Sequence, residues 1–153
     1  MNNVVVFLDF DGVTHSQPLK GLEFANLHII ESVLREYPDV DVVISSTWRE
    51  QYTLGELRDY FSHDIRDRII GVTPFFRSPK LDWTPGNGPK WERQWEIETW
   101  MERNRPEAAW LAIDDYEPLF KVGCPNLLIT NPKFGFHLDQ ADDLRDMIEG
   151  LSK

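Results

Sequence analysis

With 153 residues, 41% of them hydrophobic and no low-complexity stretch, the chain has the size and apolar content of one compact domain over residues 1–153. Its formal net charge of -10 removes the Lys/Arg footprint on which nonspecific nucleic-acid binding depends, so no extended nucleic-acid surface is expected. Cys124 is the only cysteine, which excludes an internal disulfide and a cysteine-based zinc site. The apolar run 4–8 stops at Asp9, too short for a signal core or a membrane span, so a cytoplasmic location without a membrane partner is expected.

In chain order, residues 4–10 read as a β-branched strand buried on both faces and ending in Asp9-Phe10-Asp11-Gly12. Apolar residues at three- and four-residue steps from Leu22 to Tyr37 predict an amphipathic helix stopped by Pro38. Residues 40–45 form the next strand, followed by Ser46-Thr47-Trp48-Arg49. Thr53 with Glu56 has the form of a capping box and predicts a short helix to about Phe61. A third strand is expected at 68–72. Residues 73–89 carry four prolines and two glycines around Trp83, which predicts a long loop bordering the site. Lys90 opens a helix to about Arg103, with Trp91, Trp95 and Trp100 expected as its packing stripe. Strands at 110–113 and 127–129 and a helix at 138–149 complete the chain. Strands alternating with helices imply a three-layer α/β/α, Rossmann-like parallel sheet.

In such sheets ligands bind outside the carboxyl ends of the strands, which selects Asp9 and Asp11, Ser46 and Thr47, and Asp114 and Asp115, with Lys90 at the start of the preceding helix. Like-charged carboxylates raise one another's pKa, and a divalent cation resolves their repulsion; an all-oxygen donor set with few carboxylates suits Mg²⁺. Each residue has a plainer reading. Asp-Gly is a common turn, Asp114-Asp115 a possible helix cap, Ser46 and Thr47 ordinary turn residues and Lys90 a surface lysine. Their joint occurrence at strand ends favours a site. His15, His28, His63 and His137 are scattered and receive no role.

The ordered series of an apolar strand with DFDGVT, an apolar strand with SSTW, a Lys, and an apolar strand with DD resembles the haloacid dehalogenase (HAD) superfamily of phosphatases. The resemblance implies a HAD-like sheet with the first strand central and a Mg²⁺-dependent phosphatase or phosphotransferase acting through an aspartyl-phosphate. It makes Asp9 the nucleophile and a metal ligand, and Asp11 the general acid and base whose backbone carbonyl also meets the metal. Ser46 would bind phosphoryl oxygens, with Ser45 or Thr47 as alternatives, because a one-residue slip changes which hydroxyl faces the site. Lys90 would bridge phosphate and nucleophile, Lys80 being the less ordered alternative, and Asp115 would ligate Mg²⁺ with Asp114 beside it. The short connecting segments leave no room for a sizeable cap domain. The STW and DD variants are similar to HAD domains of RNA-repair proteins. The expected substrate is a phosphorylated small molecule, a nucleotide or the phosphorylated end of a larger molecule. Gly12, Thr47, Arg49 and Trp83 are the expected substrate-facing residues: Arg49 could offer its planar fork to an anion or form a salt bridge, and Trp83 could stack on a base or anchor the loop. A noncatalytic phosphate- or metal-binding scaffold is the alternative, against which the Asp9 and Asp11 pair argues.

Overall fold

The structure, a computed structural model, describes residues 4–17, 23–75 and 91–153. β1 (Val4–Leu8) is buried at all five positions because both of its faces are covered, which is why its sequence is continuously apolar rather than alternating. It pairs in parallel with β2 (Asp41–Ile44) on one side and β4 (Ala109–Asp114) on the other. β3 (Ile69–Val72) and β5 (Leu127–Ile129) form the edges, so the order is β3-β2-β1-β4-β5 with the first strand central, as expected. A bulge between Val42 and Val43 shifts the β2–β3 register.

Two apolar layers flank the sheet. Val6, Leu8, Ile44, Leu111 and Ile113 pack with Ile30 and Leu34 of α1 (Leu27–Glu36), Leu57 of α2 (Leu54–Arg58), and Leu144 and Ile148 of α4 (Gln140–Leu151). Val5, Phe7, Val43 and Ala112 pack with Ile97, Trp100 and Met101 of α3 (Glu92–Asn104). The Thr53 capping box is present, with Thr53 Oγ1 accepting from the Glu56 amide and Glu56 Oε1 from the Thr53 amide. No helix among the described residues is long and apolar enough to cross a membrane.

The expected tryptophan stripe on α3 is corrected. Trp100 is buried, edge-on to Phe7 at 5.6 Å, but Trp91 and Trp95 are exposed. The buried face runs instead through Arg93, Gln94, Glu96, Ile97, Trp100 and Met101. The helix faces apolar core at its C-terminal end and charged strand tips at its N-terminal end, so one stripe carries both kinds of residue. Lys90 and Trp83, with most of the expected 73–89 loop, lie outside the described residues.

Candidate active site

Side chains alternate along a strand, so the residue two beyond a buried apolar position faces the same layer. Phe7, Val43 and Ala112 face α3, and two positions further on stand Asp9, Ser45 and Asp114. Backbone pairing continues through this row. Asp9 donates to Ile113 O at 3.1 Å, Ser45 to Leu8 O at 3.0 Å and Thr73 to Ile44 O at 3.0 Å. The parallel register therefore brings four chemistry-bearing residues from four strands side by side at the carboxyl edge.

Oxygens of Asp9, Asp114 and Asp115 lie within 4.8 Å of one another, a grouping that could hold a metal ion. Arg93 reaches into it from α3, with Nη1 2.6 Å from Asp114 Oδ2 and 3.6 Å from Asp9 Oδ1. Burial, then the neighbouring Asp114 charge, pushes the Asp9 carboxyl well above its ordinary value against the opposing pull of Arg93. Asp114 is also raised by burial, with Arg93 opposing. Among the described residues, three carboxylates face one guanidinium, an excess of negative charge that a divalent cation would neutralise. This donor set fits Mg²⁺. Asp114 is already occupied, by Arg93 on one oxygen and by the Asp115 and Tyr116 amides on the other, leaving Asp9 and Asp115 as the more available ligands.

Arg93 is the cation beside Asp9 and Asp114 among the described residues, whereas Lys90, the cation expected from the sequence, lies outside them. The signal for Arg93 is its place just after the proline-rich segment, on the face that α3 buries. Gly12 takes φ +76°, and a Cβ there would collide with the Asp115 carboxylate. Its observed contribution is room for the Asp115 carboxylate.

Asp11 stands apart. Its carboxylate lies outside the acidic trio, and the metal contact expected of Asp11 is through its backbone carbonyl. It receives His15 Nε2 at 2.9 Å and the Trp48 indole N–H at 3.2 Å from both oxygens. His15, given no role from sequence, is thus wholly buried beside the expected acid–base residue. The i,i+4 spacing from Asp11 is the available sign.

Among the candidate hydroxyls, Ser46 Oγ accepts from the Trp48 amide at 3.2 Å and caps the short 3-10 turn Thr47–Glu50. Ser45 Oγ is buried and has no hydrogen-bond partner among the described residues, and the same holds for Thr73 Oγ1 on the neighbouring strand end. Leaving a buried hydroxyl unpaired costs about 1–3 kcal/mol, so these groups are poised to receive an acceptor. Thr47 is exposed and borders both recesses beside the strand tips, one of about 220 Å³ reaching Arg49, Arg93 and Glu96, the other of about 510 Å³ reaching Asp11, Trp48 and Tyr52.

Arg49 has all five N–H donors engaged. Nε binds Thr73 O at 2.9 Å, Nη1 binds Ser45 O and Ser46 O, and Nη2 binds Pro74 O and the Glu96 carboxylate at 2.9 Å. The salt bridge that the sequence leaves open to Arg49 is made with Glu96. The guanidinium ties the ends of β2 and β3 to α3. Arg49→Ala should therefore cost about 3–5 kcal/mol, the usual loss on breaking a buried pair. Arg49→Lys should recover little, because three donors replace five. Urea melts beside kinetics on two unlike substrates check this. A selective loss on one substrate at unchanged stability would show direct recognition instead.

The five-stranded parallel sheet, the carboxyl-edge acids and the short connections define a small α/β domain of the HAD-like class without a large cap. The family described as the HAD domain in Swiss Army Knife RNA repair proteins matches residues 5–141, and the chain belongs to that family. No curated protein and no solved structure matches it.

Proposed function

We propose that the protein is a Mg²⁺-dependent phosphatase or phosphotransferase acting on phosphomonoesters through an aspartyl-phosphate on Asp9. The observation that carries this is the buried Asp9 at the tip of the central strand, flanked by Asp114 and Asp115 and facing Arg93. A carboxylate so placed has limited freedom to rotate and is desolvated, which suits an in-line nucleophile.

Held by Asp9, Asp115 and the Asp11 backbone carbonyl, Mg²⁺ would neutralise charge on the phosphoryl oxygens and on the attacking carboxylate. An Asp9 oxygen forms the bond to phosphorus as the ester oxygen leaves, and Asp11 gives that oxygen its proton. Water then attacks the phosphorus of the aspartyl-phosphate while Asp11 takes a proton from it, releasing inorganic phosphate and restoring the Asp9 carboxylate. An acceptor alcohol in place of water gives phosphotransfer. Arg93 supplies fixed positive charge beside the nucleophile. Ser45, whose hydroxyl has no partner among the described residues, is the phosphoryl-oxygen donor in place of Ser46, whose hydroxyl caps the turn.

The leaving group lies on the Asp11 side, in the recess walled by Trp48 and Tyr52. Aromatic faces there suit a nucleoside or sugar ring. The family's description supports the phosphorylated end of an RNA as substrate, and a single terminal phosphate is compatible with the acidic chain because no extended backbone contact is required.

The test is phosphate release from 4-nitrophenyl phosphate and from oligoribonucleotides phosphorylated at either end. Release should vanish in excess EDTA and return on adding Mg²⁺. Undiminished release in EDTA would overturn the metal-dependent reading. Tight binding of a phosphorylated end without turnover would establish the scaffold alternative.

A further inference from the structure

We propose that His15 is a positioning residue that, with the Trp48 indole, orients the Asp11 carboxylate toward the leaving group. This rests on the phosphoryl-transfer reading above.

The partners of the two imidazole nitrogens set the ring's tautomer. Nδ1 faces the Phe24 backbone amide at 3.2 Å, and a backbone N–H can only donate, so Nδ1 is the acceptor. Nδ1 also lies 3.2 Å from Thr14 Oγ1, whose hydroxyl is 3.2 Å from Phe10 O. The ring proton therefore sits on Nε2, and Nε2–H donates to Asp11 Oδ1 at 2.9 Å. The second donor to the same carboxylate is Trp48 Nε1–H, shared between both oxygens. Two ring N–H groups thus fix where the carboxylate's lone pairs point.

Neither ring is free to swing. His15 is wholly buried, edge-on to Phe24 at 5.1 Å and tilted against Trp48 at 5.7 Å. Phe24 and Phe10 each meet Trp48 edge-on, at 5.3 and 5.5 Å. Phe24 itself takes φ +59°, a left-handed conformation rare for an aromatic residue, and its amide is the group that sets the His15 tautomer. Strain of this kind persists where surrounding structure over-determines it and gathers at functional sites. The chain supplies the geometry through one turn after Asp11, in which the Val13 and Thr14 amides both return to Phe10 O and carry His15 back beneath the carboxylate.

A ring that merely filled space would not need its N–H. His15→Phe keeps the ring and removes the donor, whereas His15→Gln retains an N–H of similar reach. The decisive comparison uses two substrates: 2,4-dinitrophenyl phosphate, whose leaving group departs without a proton, and an alkyl phosphate, which requires one. General acid–base catalysis is worth about 10²- to 10⁴-fold, so misorienting Asp11 should lower kcat/KM on the alkyl ester, which reports phosphoryl transfer to Asp9 and not hydrolysis of the shared intermediate, by about 10- to 100-fold. On the dinitrophenyl ester kcat/KM should change by less than about threefold, and Gln should recover part of the loss. Equal losses of kcat/KM on both esters, or rates falling in step with Tm, would overturn the proposal while leaving the phosphatase reading intact. A wild-type protein inert toward every phosphomonoester would end both.

An activity-free measurement guards against misfolded variants. In ¹⁵N-labelled wild-type protein the His15 ring should show a protonated Nε2 and an unprotonated Nδ1, and Asp11→Asn should shift the Nε2 resonance. A proton found on Nδ1, or an Nε2 signal indifferent to Asp11→Asn, would refute the contact.

Discussion

Asp9→Asn should abolish phosphate release and at the same time make the metal-free protein more stable. The amide cannot attack phosphorus as an anion, so kcat should fall by at least about 10⁴-fold, in the range measured when a nucleophile that works as part of a unit is removed. The stability gain follows from the burial of Asp9. Its carboxyl is held well above the ordinary value of 3.8, first by desolvation and then by Asp114. A carboxyl whose folded pKa exceeds its unfolded one contributes stability that is complete below the unfolded value and lost as pH rises through the folded one. Asparagine carries no charge to desolvate, so it should raise the Tm of the metal-free protein at neutral pH. Thermal melts in EDTA from pH 4 to 8 check this. Wild type should lose stability with rising pH more steeply than the variant, and Mg²⁺ should restore wild type far more than Asp9→Asn. A variant less stable than wild type at pH 7 without metal would show that Asp9 is not under this strain.

Arg93→Met should have the largest structural cost. Arg93 is the cation paired with Asp114 at 2.6 Å, near Asp9 at 3.6 Å and Glu96 at 3.9 Å, and all four side chains are at least nine-tenths buried. Removing one partner of a buried ion pair leaves uncompensated charge and costs about 3–5 kcal/mol. Methionine keeps much of the apolar stem, so the loss reports charge rather than volume. The deficit should shrink on lowering pH, because protonated Asp9 and Asp114 no longer need a counter-charge, and it should shrink again with Mg²⁺. Arg93→Lys should fold nearly as well but lose activity, since a point charge cannot repeat the guanidinium's directed contacts. Denaturant midpoints with and without Mg²⁺ measure both effects. A full deficit at low pH would assign the loss to packing.

The parallel sheet and the placing of Asp9, Asp114 and Asp115 at its carboxyl edge are legible in the chain because each depends on local pattern, whereas the central place of β1 is implied only by the family resemblance. A β-branched run that is apolar at every position demands cover on both faces, and acids at the ends of such runs have only the carboxyl edge to occupy. The capping box at Thr53 and Glu56 is local in the same way. Side-chain assignment is where local pattern fails. Periodicity puts the tryptophans of α3 on one packing stripe, but burial there follows the charged strand tips as well as the core, and it selects Arg93 and Glu96 over Trp91 and Trp95.

The sequence by itself determined that a parallel α/β sheet would carry clustered acids at its edge, since strand period and hydrophobicity act over a few residues. Only the tertiary structure decided which partners those acids take. Asp11 turns to His15 and Trp48, Arg49 is consumed by four backbone carbonyls and Glu96, and among the described residues Ser45 rather than Ser46 keeps an open hydroxyl. Each depends on the meeting of segments far apart in the chain, or on which face of a strand end a single residue presents. A hydrogen bond depends on atomic positions to within a few tenths of an ångström, and the order of residue types does not carry that information.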